Sequence, residues 1–155
     1  METAKQVSVF LENKPGRLAL FLSALAKEKI NVVALTVMDS HEHSALRIVT
    51  EDVAKTLDVV NAMNLRHVET EVLLVELRHQ PGALANVCEL LAAEHINIDY
   101  CYCSSGGKNG RVLGIFKVSN MEKAMRLLGA SSNNKRMEKR LPRDRRTVKT
   151  PGGRA

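Results

Sequence analysis

A Pro-Gly pair placed just before an apolar helical stripe occurs twice in this sequence, as Pro15-Gly16 and Pro81-Gly82. Proline suits the opening turn of a helix because its missing N–H costs nothing there, and glycine lets a ligand approach the backbone without a Cβ in the way. Backbone amides exposed at a helix N-terminus favour a carboxylate. The amides in question belong to Gly16, Arg17, Gly82 and Ala83. The alternative is that each pair forms only a structural turn.

Three other clusters contain residues that could react or bind a ligand, and each also has a purely structural interpretation. His41-Glu42-His43 offers two imidazoles, but two ligands make a poor metal site, so a solvent-exposed hairpin is favoured. Cys101-Tyr102-Cys103 points two thiols to one side of a strand, which favours buried or interface residues over redox chemistry. Gly106–Gly110 lacks the Gly-Lys-Ser/Thr ending of a phosphate loop and predicts a hairpin tip. We therefore expect no metal, no cofactor and no catalytic residue.

The formal charge of +6 is concentrated at the C-terminus. Residues 135–155 contain nine Lys/Arg and two acidic residues, whereas the first 134 residues contain 14 basic and 15 acidic ones. The folded part is therefore nearly neutral. The basic segment could bind phosphates by counterion release, but it has no aromatic residue to stack on bases. We interpret it as a solvated tail and do not expect nucleic acid as a partner.

The cysteines and the N-terminus favour a cytoplasmic protein. Cys88, Cys101 and Cys103 are an odd and sparse set, unlike the disulfide framework of a small secreted domain. The first residues lead into an alternating strand pattern without the apolar stretch of a signal peptide. No apolar run approaches the roughly 20 residues of a membrane span. We expect a soluble protein that does not bind membranes.

One offset of 66 residues relates the two halves of the chain. The matched pairs are Pro15-Gly16 with Pro81-Gly82, Leu18 with Leu84, Leu22 with Cys88, Leu25 with Leu91, and Ile30-Asn31 with Ile96-Asn97. A fixed offset over this many positions indicates an internal repeat.

The first copy predicts the element order βαββαβ. Residues 7–11 alternate in polarity as in a strand buried on one face, and the apolar residues of 18–25 fall at helical spacing. A hairpin over 31–50, a helix capped by Asp52 and a strand over 68–77 follow.

The second copy repeats this pattern but ends early. Residues 68–77 would serve both as the last strand of the first copy and as the first strand of the second. The final helix is predicted to begin at Ser119 or Asn120, with Glu122 closing a capping box on Ser119, and to end at Gly129.

The residues that would form a last strand, 135–139 if the second hairpin is one residue longer, are too polar for one. We predict disorder from about Ser131, although an altered C-terminus in place of the strand remains open. The expected division is module 1 over 1–70, module 2 over 71–130 and a basic tail over 131–155.

Two motifs carry a resemblance to a known family. The first copy contains Asn13-Lys14-Pro15-Gly16-Arg17-Leu18 and Ile30-Asn31-Val32, and the second contains His79-Gln80-Pro81-Gly82-Ala83-Leu84 and Ile96-Asn97-Ile98. They resemble the ACT family of small-molecule-binding regulatory domains, above all short bacterial proteins made of one ACT pair. The resemblance covers residues 4–128. It implies an α+β fold of two tandem ferredoxin-like βαββαβ modules, with antiparallel sheets side by side and helices on one face.

The resemblance also implies a free amino acid bound at an interface between modules. The turn amides would hold its carboxylate, and side-chain carbonyls of Asn13 and Asn31, or of Gln80 and Asn97, would accept from its ammonium. An Asn after a helix can instead be a left-handed cap. The candidate set is Asn13, Pro15, Gly16, Arg17, Leu18, Asn31, Gln80, Pro81, Gly82, Ala83, Leu84 and Asn97.

The function that follows is amino-acid sensing rather than catalysis. The apolar residues around Val32, Val33, Val37, Ile96 and Ile98 favour a branched-chain or small neutral ligand. Regulation would act on a metabolic enzyme partner or on self-assembly, and the unpaired edge left by the missing strand favours a homodimer. The alternatives are a scaffold that binds no ligand and a nucleic-acid-associated protein acting through the basic tail.

Overall fold

The computed structural model describes residues 1–38, 43–107 and 111–138. The predicted tips 41–42 and 108–110 and the tail from residue 139 lie outside these residues. The elements are β1 (Glu2–Glu12), α1 (Arg17–Lys27), β2 (Val32–Met38), β3 (His43–Thr50), α2 (Val53–Ala62), β4 (His67–Arg78), α3 (Ala83–Ala93), β5 (Ile98–Gly107), β6 (Arg111–Val118) and α4 (Met121–Glu138).

The six strands form one antiparallel sheet in the order β2-β3-β1-β4-β6-β5. The order β2-β3-β1-β4 is that of a ferredoxin-like unit, and β4-β6-β5 repeats it without the last strand. β4 belongs to both units because His67–Leu74 pairs with β1 and Leu73–Arg78 pairs with β6. The predicted fold of two tandem modules, the second lacking its last strand, is confirmed.

The N-terminal residues take the place of that missing strand. Glu2, Thr3 and Ala4 pair with Leu74, Leu73 and Val72, which lie in the part of β4 that opens the second module. The first module pairs its own last strand at the equivalent place, with Ser8 opposite Val68. The edge expected to be unpaired is thus covered over Val72–Leu74 and no longer supports self-association there, so the homodimer stays a prediction. The outer edges of the sheet are β2 and β5.

The second hairpin is longer than the sequence alignment suggests. Val7 pairs with Ile48 in the first module, and its counterpart Leu73 pairs with Phe116 in the second. The offset between Ile48 and Phe116 is 68, so this hairpin has two extra residues and the expected single one is wrong. The mismatch arises because glycine-rich hairpin tips tolerate insertions without disturbing the strands.

Both modules bury their cores on the same face of the sheet, beneath the helices. In the first module Phe21 and Leu25 of α1 are buried against β1 and β3, and in the second Val87 and Leu91 of α3 are buried against β4 and β6. Each fully buried side chain of this size contributes about 1.5–3 kcal/mol. This burial aligns α1 and α3 on the sheet and so fixes where their N-termini lie.

The helix-free face of the sheet is also closed, because the sheet curls until β2 and β5 approach each other. An apolar cluster there includes Val72, Leu74 and Ile115. Beside it lies Gln6, which is fully buried. Gln6 Nε2 donates to the Tyr100 hydroxyl (2.8 Å) and to Ser8 Oγ (3.2 Å), and Gln6 Oε1 accepts from the Tyr102 hydroxyl (3.0 Å). These bonds tie β5 of the second module to β1 of the first.

The second helix of each module has a side-chain cap. Asp52 accepts from the Lys55 amide at 3.0 Å, as predicted, and Asn120 caps α4 by accepting from the Lys123 amide at 2.9 Å. Ser119 does not cap, since its hydroxyl accepts from the Asn97 amide (3.0 Å).

The end of α4 differs from expectation as well. The helix continues through Gly129 to Glu138, so its expected end is wrong, and the disorder expected for the tail stays a prediction. Among the described helices, none has the length and apolarity to cross a bilayer.

Candidate ligand-binding turns

The two Pro-Gly pairs form the same turn. Gly16 has φ 84° and ψ −14°, and the Arg17 amide donates to the Lys14 carbonyl at 3.3 Å. Gly82 has φ 84° and ψ −13°, and the Ala83 amide donates to the Gln80 carbonyl, also at 3.3 Å. This is a type II turn, with proline in its second position and glycine where φ must be positive. The structural reading of the glycines is therefore correct, and it leaves a binding role open.

The helix N-termini behind these turns remain open. Neither α1 nor α3 has a side-chain cap, in contrast to the helices that Asp52 and Asn120 cap. A Cβ built on Gly16 or Gly82 would meet nothing within 4 Å. In the described part of the chain, the amides of Gly16 and Gly82 donate to no acceptor. The amides of Arg17 and Ala83 are engaged within the turn and are not the bare donors that the sequence suggested.

The first turn is surrounded by ion pairs. Glu12, the last residue of β1, accepts from Arg17 Nη2 at 2.9 Å and pairs with Lys14 Nζ at 3.3 Å. The hydrogen bonds from Lys14 and then from Arg17 hold the pKa of this exposed carboxyl below its usual range. A carboxylate of the chain itself is thus paired with both cations of the turn.

The second turn borders an open cavity of about 450 Å³. Its lining residues are Leu77, Arg78, His79, Gln80, Pro81, Ala83, Leu84, Cys103 and Val112. Four predicted site residues are in this set, namely Gln80, Pro81, Ala83 and Leu84. The sequence did not identify Cys103 and Val112, because they come from β5 and β6, and only the sheet order places these strands beside the turn. Arg78 could have been found, since it aligns with Glu12 at the offset of 66.

The two asparagines after the helices lie away from the turns. The side-chain Nδ2 of Asn31 donates to Glu51 Oε2 (2.9 Å), and the side-chain Nδ2 of Asn97 donates to Asp99 Oδ1 (2.9 Å). Each follows an 11-residue helix that begins at the turn, so about 16 Å of helix separates it from the turn of its own module. The left-handed residues at these helix ends are Lys29 and His95 rather than the asparagines.

The cysteines of β5, Cys101 and Cys103, face the helix side, and the alternating tyrosines, Tyr100 and Tyr102, face Gln6. Cys101 and Cys103 are exposed, so the first of the two expectations, burial, is wrong, and an interface role stays a prediction. Although both residues are exposed overall, desolvation raises the pKa of each thiol, and Cys88 raises it further. A raised pKa reduces the thiolate fraction and therefore the reactivity of each thiol. The residues that the structure describes contain no group of three metal-ligating side chains.

The fold of two tandem modules agrees with the comparisons with known proteins. A family model of the ACT domain pair matches residues 2–140. The chain belongs to this family. No curated protein matches this ACT domain pair. A crystal structure of a Bacteroides thetaiotaomicron protein is 34% identical, with 84% of this chain and 89% of that chain covered and a TM-score of 0.78.

Two further solved structures share the fold at lower identity. The ligand-free regulatory subunit of aspartate kinase from Thermus thermophilus is 15% identical over 84% of this ACT domain pair and 93% of that chain, with a TM-score of 0.61. The corresponding subunit from Thermus flavus is 16% identical over 84% and 92%, with a TM-score of 0.56. At these identities the likeness concerns the fold alone.

Proposed function

We propose that this ACT domain pair binds a free amino acid at a Pro-Gly turn and transmits its presence to a partner or to its own assembly, without catalysing a reaction. The observation that carries the proposal is the contrast among helix N-termini. Side chains cap α2 and α4, whereas α1 and α3 begin at a glycine with bare amides and open space. Bare amides at a helix N-terminus suit a carboxylate.

The residues around the turn could also bind the ammonium group and the side chain of the amino acid. The ammonium group needs carbonyl acceptors, and the Gln80 side chain and the turn carbonyls are the candidates at the second turn, as the Asn13 side chain is near the first. Asn31 and Asn97 would reach a ligand only from another chain. The cavity walls formed by Leu77, Leu84 and Val112 favour an apolar side chain.

The size and lining of the cavity support a small neutral or branched-chain amino acid. A volume of about 450 Å³ lies at the lower end of the range for small-molecule sites. The apolar residues that first suggested this ligand class, such as Val37 and Ile98, belong to β2 and the start of β5 and do not line the cavity. The preference now depends on Leu77, Leu84 and Val112.

Regulation would follow if the ligand binds one conformational or assembly state of the protein more tightly than the other. A ligand shifts an equilibrium only as far as it binds one state more tightly than the other. The aspartate kinase subunits that share this fold are regulatory, which supports a metabolic enzyme as the partner. A homodimer through the outer strands is a second route, and the free cysteines fit a cytoplasmic location.

A thermal-shift screen against the twenty proteinogenic amino acids tests the proposal. Ligand that binds only the folded protein at 100 times its Kd stabilises it by about 2.7 kcal/mol. We expect one or a few small neutral amino acids to raise the melting temperature, whereas the corresponding carboxylate-free amines do not. If no amino acid changes it, the scaffold alternative is preferred.

A further inference from the structure

We propose that only the second turn binds the ligand carboxylate, that Arg78 selects it, and that Glu12 closes the first turn to anions. This inference rests on the proposed function and adds to it the choice of turn and the charge that the turn recognises. The two turns are otherwise equivalent, which makes the difference testable within one chain.

The backbone does not distinguish the two turns. Gly16 and Gly82 have the same φ of 84°, and the hydrogen bonds that close the turns have the same length of 3.3 Å. The first helical bonds also match, since the amides of Leu20 and Asn86 donate to the glycine carbonyls at 2.9 Å. Any difference in affinity must therefore come from side chains.

The side chains around the first turn are already paired with a carboxylate. Arg17 and Lys14 hold Glu12 at 2.9 and 3.3 Å, so both cations at this turn are neutralised by the chain. An incoming anion would have to displace Glu12 and would meet its negative charge. Glu12 thus acts as a substitute for the ligand at the first turn.

Every one of these charges changes at the second turn. At the offset of 66, Glu12 becomes Arg78, and the two cations Lys14 and Arg17 become the uncharged Gln80 and Ala83. Arg78, Gln80 and Ala83 all line the cavity of about 450 Å³. This turn therefore lacks an internal anion and presents a guanidinium beside an open space. Arginine suits a carboxylate because its planar fork can donate two parallel hydrogen bonds.

The neighbours of Arg78 leave its charge uncompensated. Arg111 lies opposite it in the ladder of β4 and β6, and the Arg111 guanidinium pairs with Glu76. In the part of the chain that the structure describes, no carboxylate pairs with Arg78. His79, which also lines the cavity, adds no negative charge. An anionic group is thus the chemistry that completes the second turn.

Sodium acetate, which carries a carboxylate without the rest of an amino acid, tests the choice of turn by NMR. We expect saturable shifts of the Gly82 and Leu84 backbone amides, and little change at Gly16 and Leu18, at constant ionic strength. Arg78→Gln should weaken acetate binding about tenfold, the factor expected for one charge-assisted hydrogen bond. Arg66→Gln, which removes an exposed charge elsewhere, is the matched control and should change nothing.

Glu12→Gln tests the closure of the first turn. This substitution frees Arg17 and Lys14, so the Gly16 amide should begin to respond to acetate while Gly82 responds as before. Equal responses of both glycines in the unmodified protein, or none at Gly82, would overturn the inference. If acetate selects Gly82 but no amino acid changes the melting temperature, the choice of turn holds and the amino-acid function fails.

Discussion

The two halves of this ACT domain pair share a backbone and differ in polar side chains. The turns at Gly16 and Gly82 have the same dihedral angles, but Glu12 stands where the second half has Arg78. A positive φ restricts the turn position to glycine in both copies, whereas an exposed position beside the turn tolerates either charge. We infer from this difference that the same backbone geometry is open to an anion in one half and closed to it in the other.

The two modules also differ in polarity at equivalent positions of their buried cores. In the first module the buried Thr56 hydroxyl bonds to Thr50 Oγ1 and to the Asp52 carbonyl, both at 2.7 Å. Their counterparts at the offset of 68 are the apolar Val118 and Ala124, which are also buried. A fully satisfied polar pair and an apolar pair can therefore occupy equivalent positions, because replacing both partners together leaves no unpaired group.

The largest expected effect comes from exchanging one glycine for aspartate in each half. Gly82→Asp should abolish amino-acid binding, because the new carboxylate occupies the turn and repels the ligand. Gly16→Asp should leave binding within about twofold of the original affinity. Calorimetric titration with the amino acids found in the thermal-shift screen measures both affinities.

The two aspartate variants control for each other. Both residues have φ 84° and open space around a new Cβ, so each substitution should destabilise the fold similarly, by about 1 kcal/mol. Equal unfolding midpoints with unequal affinities would support the comparison between the turns. Loss of binding in the Gly16 variant alone would reverse it.

Much of the fold was predictable because its signals are local. Alternation over residues 7–11, the helical spacing of 18–25 and the Asp52 cap each depend on neighbours in sequence, and all are confirmed. The pairing of Glu2 with Leu74 was not predictable in this way, since a strand partner 72 residues away leaves no mark on local periodicity. The length of α4 was not predicted because the polar residues after Gly129 have no apolar stripe that would distinguish a helix from coil.

The candidate site was only partly predictable for the same reason. The duplicated motif identified Gln80, Pro81 and Leu84, which do line the cavity. Cys103 and Val112 come from strands that reach the turn through the sheet order, and no spacing rule indicates that. The offset that aligned the apolar residues also aligned Glu12 with Arg78, so attention to charge in the same alignment would have shown the asymmetry.

A smaller effect is expected where Gln6 joins the two halves. Its counterpart at the offset of 66 is Val72, so Gln6→Val makes the two positions alike. The change removes the partner of the Tyr100 and Tyr102 hydroxyls in a region shielded from water. We expect a loss of about 2 kcal/mol in the free energy of unfolding, measured with urea.

A compensating variant separates lost hydrogen bonds from lost packing. Adding Tyr100→Phe and Tyr102→Phe to Gln6→Val removes the hydroxyls that the substitution leaves unpaired, and should recover most of the stability. Arg47, which lies 3.6 Å from the centroid of the Tyr100 ring, would retain its contact with the phenylalanine. An unchanged urea midpoint in the single variant would mean that the halves are not joined through Gln6.

The smallest effect should appear at alkaline pH, through Tyr102. Desolvation, followed by the neighbouring Tyr100, raises the pKa of the Tyr102 hydroxyl well above its ordinary value near 10. Above pH 10 the unfolded chain loses this proton while the folded protein keeps it, so the unfolded state binds fewer protons and stability must fall as pH rises. Because Tyr102 is only partly buried, the slope should stay below about 1 kcal/mol per pH unit. Urea unfolding at pH 9 and 11 measures this slope.

Tyr102→Phe should flatten the slope, and Tyr100→Phe, which leaves Tyr102 bonded to Gln6, should keep most of it. An equal slope in the Tyr102 variant would show that the hydroxyl ionises alike in both states.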